Sequence, residues 1–154
     1  MTTRRAKALN AYELLARVCE AIKAHPLAYY QGSWVVPTER LVQAVGEYTD
    51  AQMRTSCGTA YCRAGWVVAL HDGRQRAVDL SLTDAKYPAL PVADRSDDIL
   101  GLDRSATHDL YDGEACDYAG RPGSRTYVRA GIRGLREFMT QHEAHLKAHS
   151  LRGV

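Results

Sequence analysis

The chain has 154 residues, 45% of them hydrophobic and 25% charged, with a formal net charge of +2. That length and balance describe one globular domain with its own core, and they exclude wholesale disorder and a fibrous or collagenous repeat. No apolar run approaches the ~18 residues of a membrane span and no signal-peptide core opens the chain, so a cytoplasmic protein without a membrane partner is expected.

The first element predicted is an amphipathic helix over Ala6 to Lys23, with Leu15, Val18, Cys19 and Ile22 on its apolar face. His25-Pro26 stops it, because proline disfavours helical geometry in the residue before it. Residues 27–37 mix aromatic and β-branched side chains with Gly32 and Pro37, which suits an extended stretch with at most a short strand. Pro37-Thr38 then opens a short helix through Glu47.

A third helix is predicted from Gly58 or Thr59 to His71, ended by Asp72-Gly73. Gly58, Cys62, Gly65 and Ala69 step by four, three and four, which places a stripe of very small side chains along one face. A glycine inside a helix costs ~1 kcal/mol relative to alanine, so Gly65 implies close approach of another backbone. Trp66 and Leu70 flank the stripe, and this helix is expected at the centre of the fold with the C-terminal helix packed across it. From Asp72 to Ala93 the pattern breaks around Pro88 and Pro91 into a long polar connection with at most one short element. Residues 94–101 read as a short helix ended by Gly101, and a further one is capped by Asp103 or Ser105 and runs to Gly113.

The last helix is predicted from Ser124 to about Ala148. Val128, Ile132, Leu135, Met139, His142 and Leu146 share one face, and Arg125, Arg129, Arg133, Arg136 and Lys147 form a second stripe about 90 to 100 degrees round the wheel. The fold expected from these elements is all-α in the main, a single domain over residues 1–154 of four to six helices, with room for one minor strand pair.

The sharpest local feature is Cys57-Gly58-Thr59-Ala60-Tyr61-Cys62-Arg63-Ala64-Gly65-Trp66. Four cysteines, at positions 19, 57, 62 and 116, are too few and too irregular for a secreted disulfide framework, which makes reduced thiols the default. Zinc requires four ligands, and the two cysteines here have no second pair at finger spacing, so no metal or other cofactor is expected. Cys57 at a helix N-terminus is a candidate nucleophile, although the segment departs from the papain-type signature in spacing and in lacking an aromatic after its second cysteine. The reading preferred is structural: Cys57 and Thr59 start and cap the helix, Gly58, Cys62 and Gly65 allow close packing, and Trp66 anchors it. No catalytic residue is assigned, and an enzyme is the less favoured class.

Charge is distributed unevenly along the chain. Residues 79–117 hold ten acidic and three basic side chains, and residues 118–154 hold two acidic and seven basic. The simplest reading is a solvated acidic face, or one that meets the protein's own basic helix. The arginine stripe is otherwise a candidate surface for phosphate, in nucleic acid or in a small anionic nucleotide. No helix-turn-helix, zinc-finger, RNA-motif, P-loop or Rossmann signature accompanies it.

The CGTxxCxAGW segment, preceded by His25-Pro26 and Trp34 and followed by Ile99-Leu100-Gly101-Leu102, Leu110-Tyr111 and a final amphipathic helix, resembles a group of small uncharacterised proteins common in actinobacterial phages and related bacteria. The resemblance spans about residues 20 to 146, with departures at Arg63, where an apolar residue is usual, and at a tyrosine that stands where a phenylalanine often follows the ILGL helix. It implies a phage or prophage accessory protein acting in the host cytoplasm and carries over no catalytic residue. The expected function is therefore binding of a host protein, such as a defence or regulatory component. Nucleic-acid or nucleotide binding through Arg125, Arg129, Arg133 and Arg136, and cysteine chemistry at Cys57, are the alternatives.

Overall fold

The computed structural model describes residues 10–26, 35–37, 59–82, 90–103 and 124–151. These contain six helices and one pair of three-residue strands, so the protein is mainly α-helical.

Helix α1 (Ala11–Ala24) starts where Asn10 takes an extended backbone and its side-chain Oδ1 accepts from the Glu13 amide at 2.9 Å. That N-cap, which satisfies one of the free amides of the first turn, sets the start five residues after the expected Ala6. At the other end the His25 amide donates to the Ala21 carbonyl, and Pro26 prevents continuation as expected.

Strand β1 (Val35–Pro37) pairs antiparallel with β2 (Thr59–Tyr61), with Val35 opposite Tyr61 and Pro37 opposite Thr59. This corrects the expected helix start at Gly58 or Thr59. The backbone of residues 59–61 is committed to the strand ladder, so the helical ladder begins only after it, in α2 (Arg63–Asp72). Cys62 is the N-cap, its Sγ accepting from the Gly65 amide at 3.3 Å. Thr59 is therefore a strand residue and does not cap the helix, while Cys57 and Gly58 lie outside the described residues. Within α2 the small-residue stripe reduces to Gly65 and Ala69, reached from the Cys62 cap. Cys62, Gly65 and Trp66 are all buried, as the packing role requires.

Gly73, at φ 103°, ends α2 and is followed directly by α3 (Arg74–Leu82), in a region expected to be a polar connection. Helix α4 (Leu90–Leu100) starts four residues earlier than the expected Asp94. Pro91 read as a breaker, but it stands in the first turn, where its missing amide has no intrahelical acceptor. Val92, Ala93, Ser96, Ile99 and Leu100 form its buried face, and Gly101, at φ 65°, ends it as expected. The single C-terminal helix divides into α5 (Arg125–Gln141) and α6 (Glu143–Ala148) at His142. Ser124 caps α5 as expected, accepting from the Tyr127 amide at 3.2 Å. The helices predicted over 37–47 and 103–113 fall outside the described residues.

The principal neighbours of α2 are α4, α3 and α1, while α5 and α6 lie against α1. The C-terminal helix therefore does not cross α2 as expected. Helix α1 presents one broad apolar face, along which it meets α2, α5 and α6. Leu15, Val18 and Ile22 are fully buried there, each contributing ~1.5 to 3 kcal/mol of transfer free energy. The two ends of the described chain meet, with the Ala11 amide donating to the His149 carbonyl at 3.0 Å and Asn10 bridging to Ser150.

Candidate binding groove

Helix α5 is sharply two-sided. Tyr127, Val128, Ile132, Leu135, Phe138 and Met139 are buried, while Arg125, Arg129, Arg133 and Arg136 are exposed. The apolar set recurs at three and four residues and turns toward α1, which leaves the arginine stripe beside the α1–α5 seam. All four arginines of the sequence-derived stripe are thereby brought to one surface. Lys147, the fifth member expected, is not part of it. The break at His142 moves it onto α6, where its Nζ donates to Glu143 at 2.7 Å and sits 4.8 Å from the centre of the Tyr12 ring.

The seam opens into a groove of about 1040 Å³. One wall is the arginine face of α5, continued by Glu137, Thr140 and Gln141, and the other holds Lys23 from the last turn of α1 and Pro26 just beyond it. Val128 and Ile132 form the floor where they surface from the core. Among the described residues, five cationic side chains therefore share the groove with one carboxylate over an apolar base. Lys23 and Pro26 carry no local signal of this role, because only the docking of α1 on α5 makes them the second wall.

Among the described residues nothing pairs with Arg125 or Arg129. The acidic face of α4 does not supply partners, since α4 packs on α2 and α3, away from α5. The acidic positions from 109 to 117 lie outside the described residues. Arg136, though exposed, also interacts with the thiol of Cys19. Burial pushes that thiol above its ordinary value of 9.0, and the Arg136 guanidinium offsets part of the rise. Arg63 is fully buried in the first turn of α2, where an apolar residue was the usual expectation, and its charge also reaches Cys19.

A second polar cluster lies where α2 meets α4. Arg95 of α4 grips the Asp72 carboxylate at the end of α2 with two hydrogen bonds, Nε to Oδ2 at 2.6 Å and an Nη to Oδ1 at 2.9 Å. The His71 ring nitrogen Nδ1 lies 2.6 Å from the same Oδ1. The Arg95 guanidinium, helped by His71, holds the Asp72 carboxyl below the ordinary carboxylate range. This cluster fastens α2 to α4, and none of the groove-lining residues lies beside it.

The sequence motif supplies support and no reactive group among its described members. Cys62 is 2% exposed and engaged as a cap, and Trp66 stacks on His25 with ring centres 6.5 Å apart. The latter contact fixes the end of α1, one residue before Pro26 of the groove wall. Among the described residues no group of three His, Cys, Asp or Glu side chains is placed to hold a metal ion. No described helix is long and apolar enough to cross a membrane. Comparison with protein families, characterised proteins and solved structures gives no match to this chain.

Proposed function

We propose that this protein is a non-enzymatic accessory protein, of the kind found in actinobacterial phages, that acts by binding a host macromolecule through the groove between Lys23 and the arginine face of α5. One observation carries the reading: five cations and one carboxylate surround a groove with an apolar floor, and Arg125 and Arg129 have no partner among the described residues. Guanidinium groups left unpaired beside a concave surface are poised for carboxylate or phosphate at no cost of breaking an internal ion pair. The phage setting and the host partner rest on the resemblance of the CGTxxCxAGW segment.

Nucleic acid is the second reading, favoured by the four-residue spacing of Arg125, Arg129 and Arg133, which sets their backbones about 6 Å apart along the helix. Cysteine chemistry has less to support it. Cys19 and Cys62 are both buried, so fast iodoacetamide labelling of the folded protein at Cys57 would be needed to revive it.

The test is capture from host lysate by the wild-type chain and by Arg129→Ala/Arg133→Ala in parallel, with each captured macromolecule then purified and titrated. A partner that binds wild type at least about tenfold more tightly than the double variant, a difference of ~1.4 kcal/mol, supports the groove. Equal binding to both counts against it.

A further inference from the structure

We infer that the groove receives an acidic amphipathic helix of a partner protein, an inference that rests on the groove-binding reading above and names the chemistry of its occupant. Three observations select this occupant. The first is charge, since among the described residues Lys23, Arg125, Arg129, Arg133 and Arg136 share the groove with one carboxylate, Glu137, which calls for a partner of net negative charge.

The second is the floor. Val128 and Ile132, with Pro26 on the adjoining wall, offer carbon surface beside the cations. A phosphate backbone has nothing apolar to place there, and the described lining contains no aromatic ring on which a base would stack. A helix that carries aliphatic side chains on one face and carboxylates beside them satisfies floor and walls together.

The third is length and polarity along the groove. Its lining on α5 runs from Arg125 to Gln141, which at 1.5 Å per residue is about 24 Å, the span of roughly 16 helical residues. The cations of α5 occupy the stretch up to Arg136, and Glu137, Thr140 and Gln141 make the remaining end acidic and neutral. The partner's carboxylates are accordingly concentrated over about three turns, with neutral or basic residues following, so the partner lies in one direction only.

The experiment is selection of random peptides of about 16 residues, the helical span of the groove, displayed on yeast, against the full chain and against Arg129→Ala/Arg133→Ala. The double variant is first checked for an unchanged helical spectrum and melting curve, with Arg129→Gln in reserve. Expected is a wild-type-selected pool rich in Asp and Glu, with aliphatic residues recurring at three and four positions. Individual peptides measured by fluorescence anisotropy should lose about tenfold or more in affinity on the double variant, and a similar factor when their aliphatic residues become glutamine.

A pool without that pattern, or peptides indifferent to loss of their aliphatic residues, overturns the inference. A DNA duplex of about 20 base pairs, two helical turns, is titrated beside them. Arginine-dependent binding of the duplex with no such peptide overturns the acidic helix while leaving the groove as a binding site. Failure of both ligands to distinguish wild type from the variant removes the groove reading itself.

Discussion

Arg95 and Arg129 are the same residue type on two helices of one small domain, and their surroundings are opposite. Arg95 closes on Asp72 with two hydrogen bonds and draws α4 onto α2. Arg129 stands on α5 with no partner among the described residues, beside a groove whose other charges are nearly all of its own sign. The α2–α4 side of the molecule thus uses its charge internally, whereas the α1–α5 side is held by apolar burial and leaves its charge outward. A cluster of like charges on one face adds self-repulsion, and the proposed binding role is the one that would offset it.

Four sets of substitutions break or sharpen that contrast. The largest effect is expected where the two sides share a support. Leu15 is fully buried in α1, and Leu15→Ala should cost ~2 to 5 kcal/mol in urea unfolding. Both sides should be lost in one transition; separate transitions for the two would show that α1 does not couple them. Next is Gly101→Ala, which combines a left-handed backbone at φ 65° with a new Cβ directed onto the His149 ring. It should cost ~2 to 4 kcal/mol. Gly73→Ala, at φ 103° with open space around it, should lose only the backbone part, ~1 to 3 kcal/mol, and a thermal melt ranking Gly73 above Gly101 would contradict the packing described.

Third is Asp72→Asn, which should cost ~1 to 2 kcal/mol at neutral pH. Its pH dependence carries a definite sign. The folded-state pKa of Asp72 lies below its ordinary 3.8, so the folded state holds the proton less tightly than the unfolded state does. The stabilisation is complete above about that ordinary value and disappears as pH falls through the lowered one. The stability gap between wild type and Asp72→Asn should close on acidification over that window, read from urea midpoints. The smallest effect should be that of Arg129→Ala/Arg133→Ala, within ~0.5 kcal/mol of wild type. A larger loss would mean that these arginines also serve the fold.

What was legible in the sequence follows the same division. Helices α1 and α5 have apolar residues at helical spacing and recognisable stop and cap residues, so periodicity located both. It also placed Arg125, Arg129, Arg133 and Arg136 on one stripe. Helix α3 escaped because Ala77 is the fully buried residue among its described side chains, which leaves a mostly polar segment with no period to detect. Pro91 concealed the start of α4, since proline in a first turn and proline as a breaker look alike until the cap is seen. The Thr59–Tyr61 strand is three residues long, too short to show alternation, and the adjoining small-residue spacing extended the predicted helix through it.

Long-range chemistry was beyond reach for a different reason. Asp72 and Arg95 are 23 positions apart, and Lys23 meets the arginine stripe only because α1 docks on α5. No local pattern encodes such a pairing, so the sequence located one wall of the groove and the fold supplied the second.

The order in which the chain is synthesised gives the shared position of α1 a consequence for how the protein is made. It is the first described helix to leave the ribosome, and two of the segments that cover it, α5 and α6, are the last. Its apolar face stays without its final cover until residue 146 and the His149 carbonyl that ties down Ala11 have emerged. Nascent chains stalled before Ser124 will therefore display an uncovered Leu14, Leu15, Val18 and Ile22 surface, the kind of surface that chaperones hold and that aggregates when they do not. Completion of the fold is in this sense governed by contacts between residues far apart in the chain.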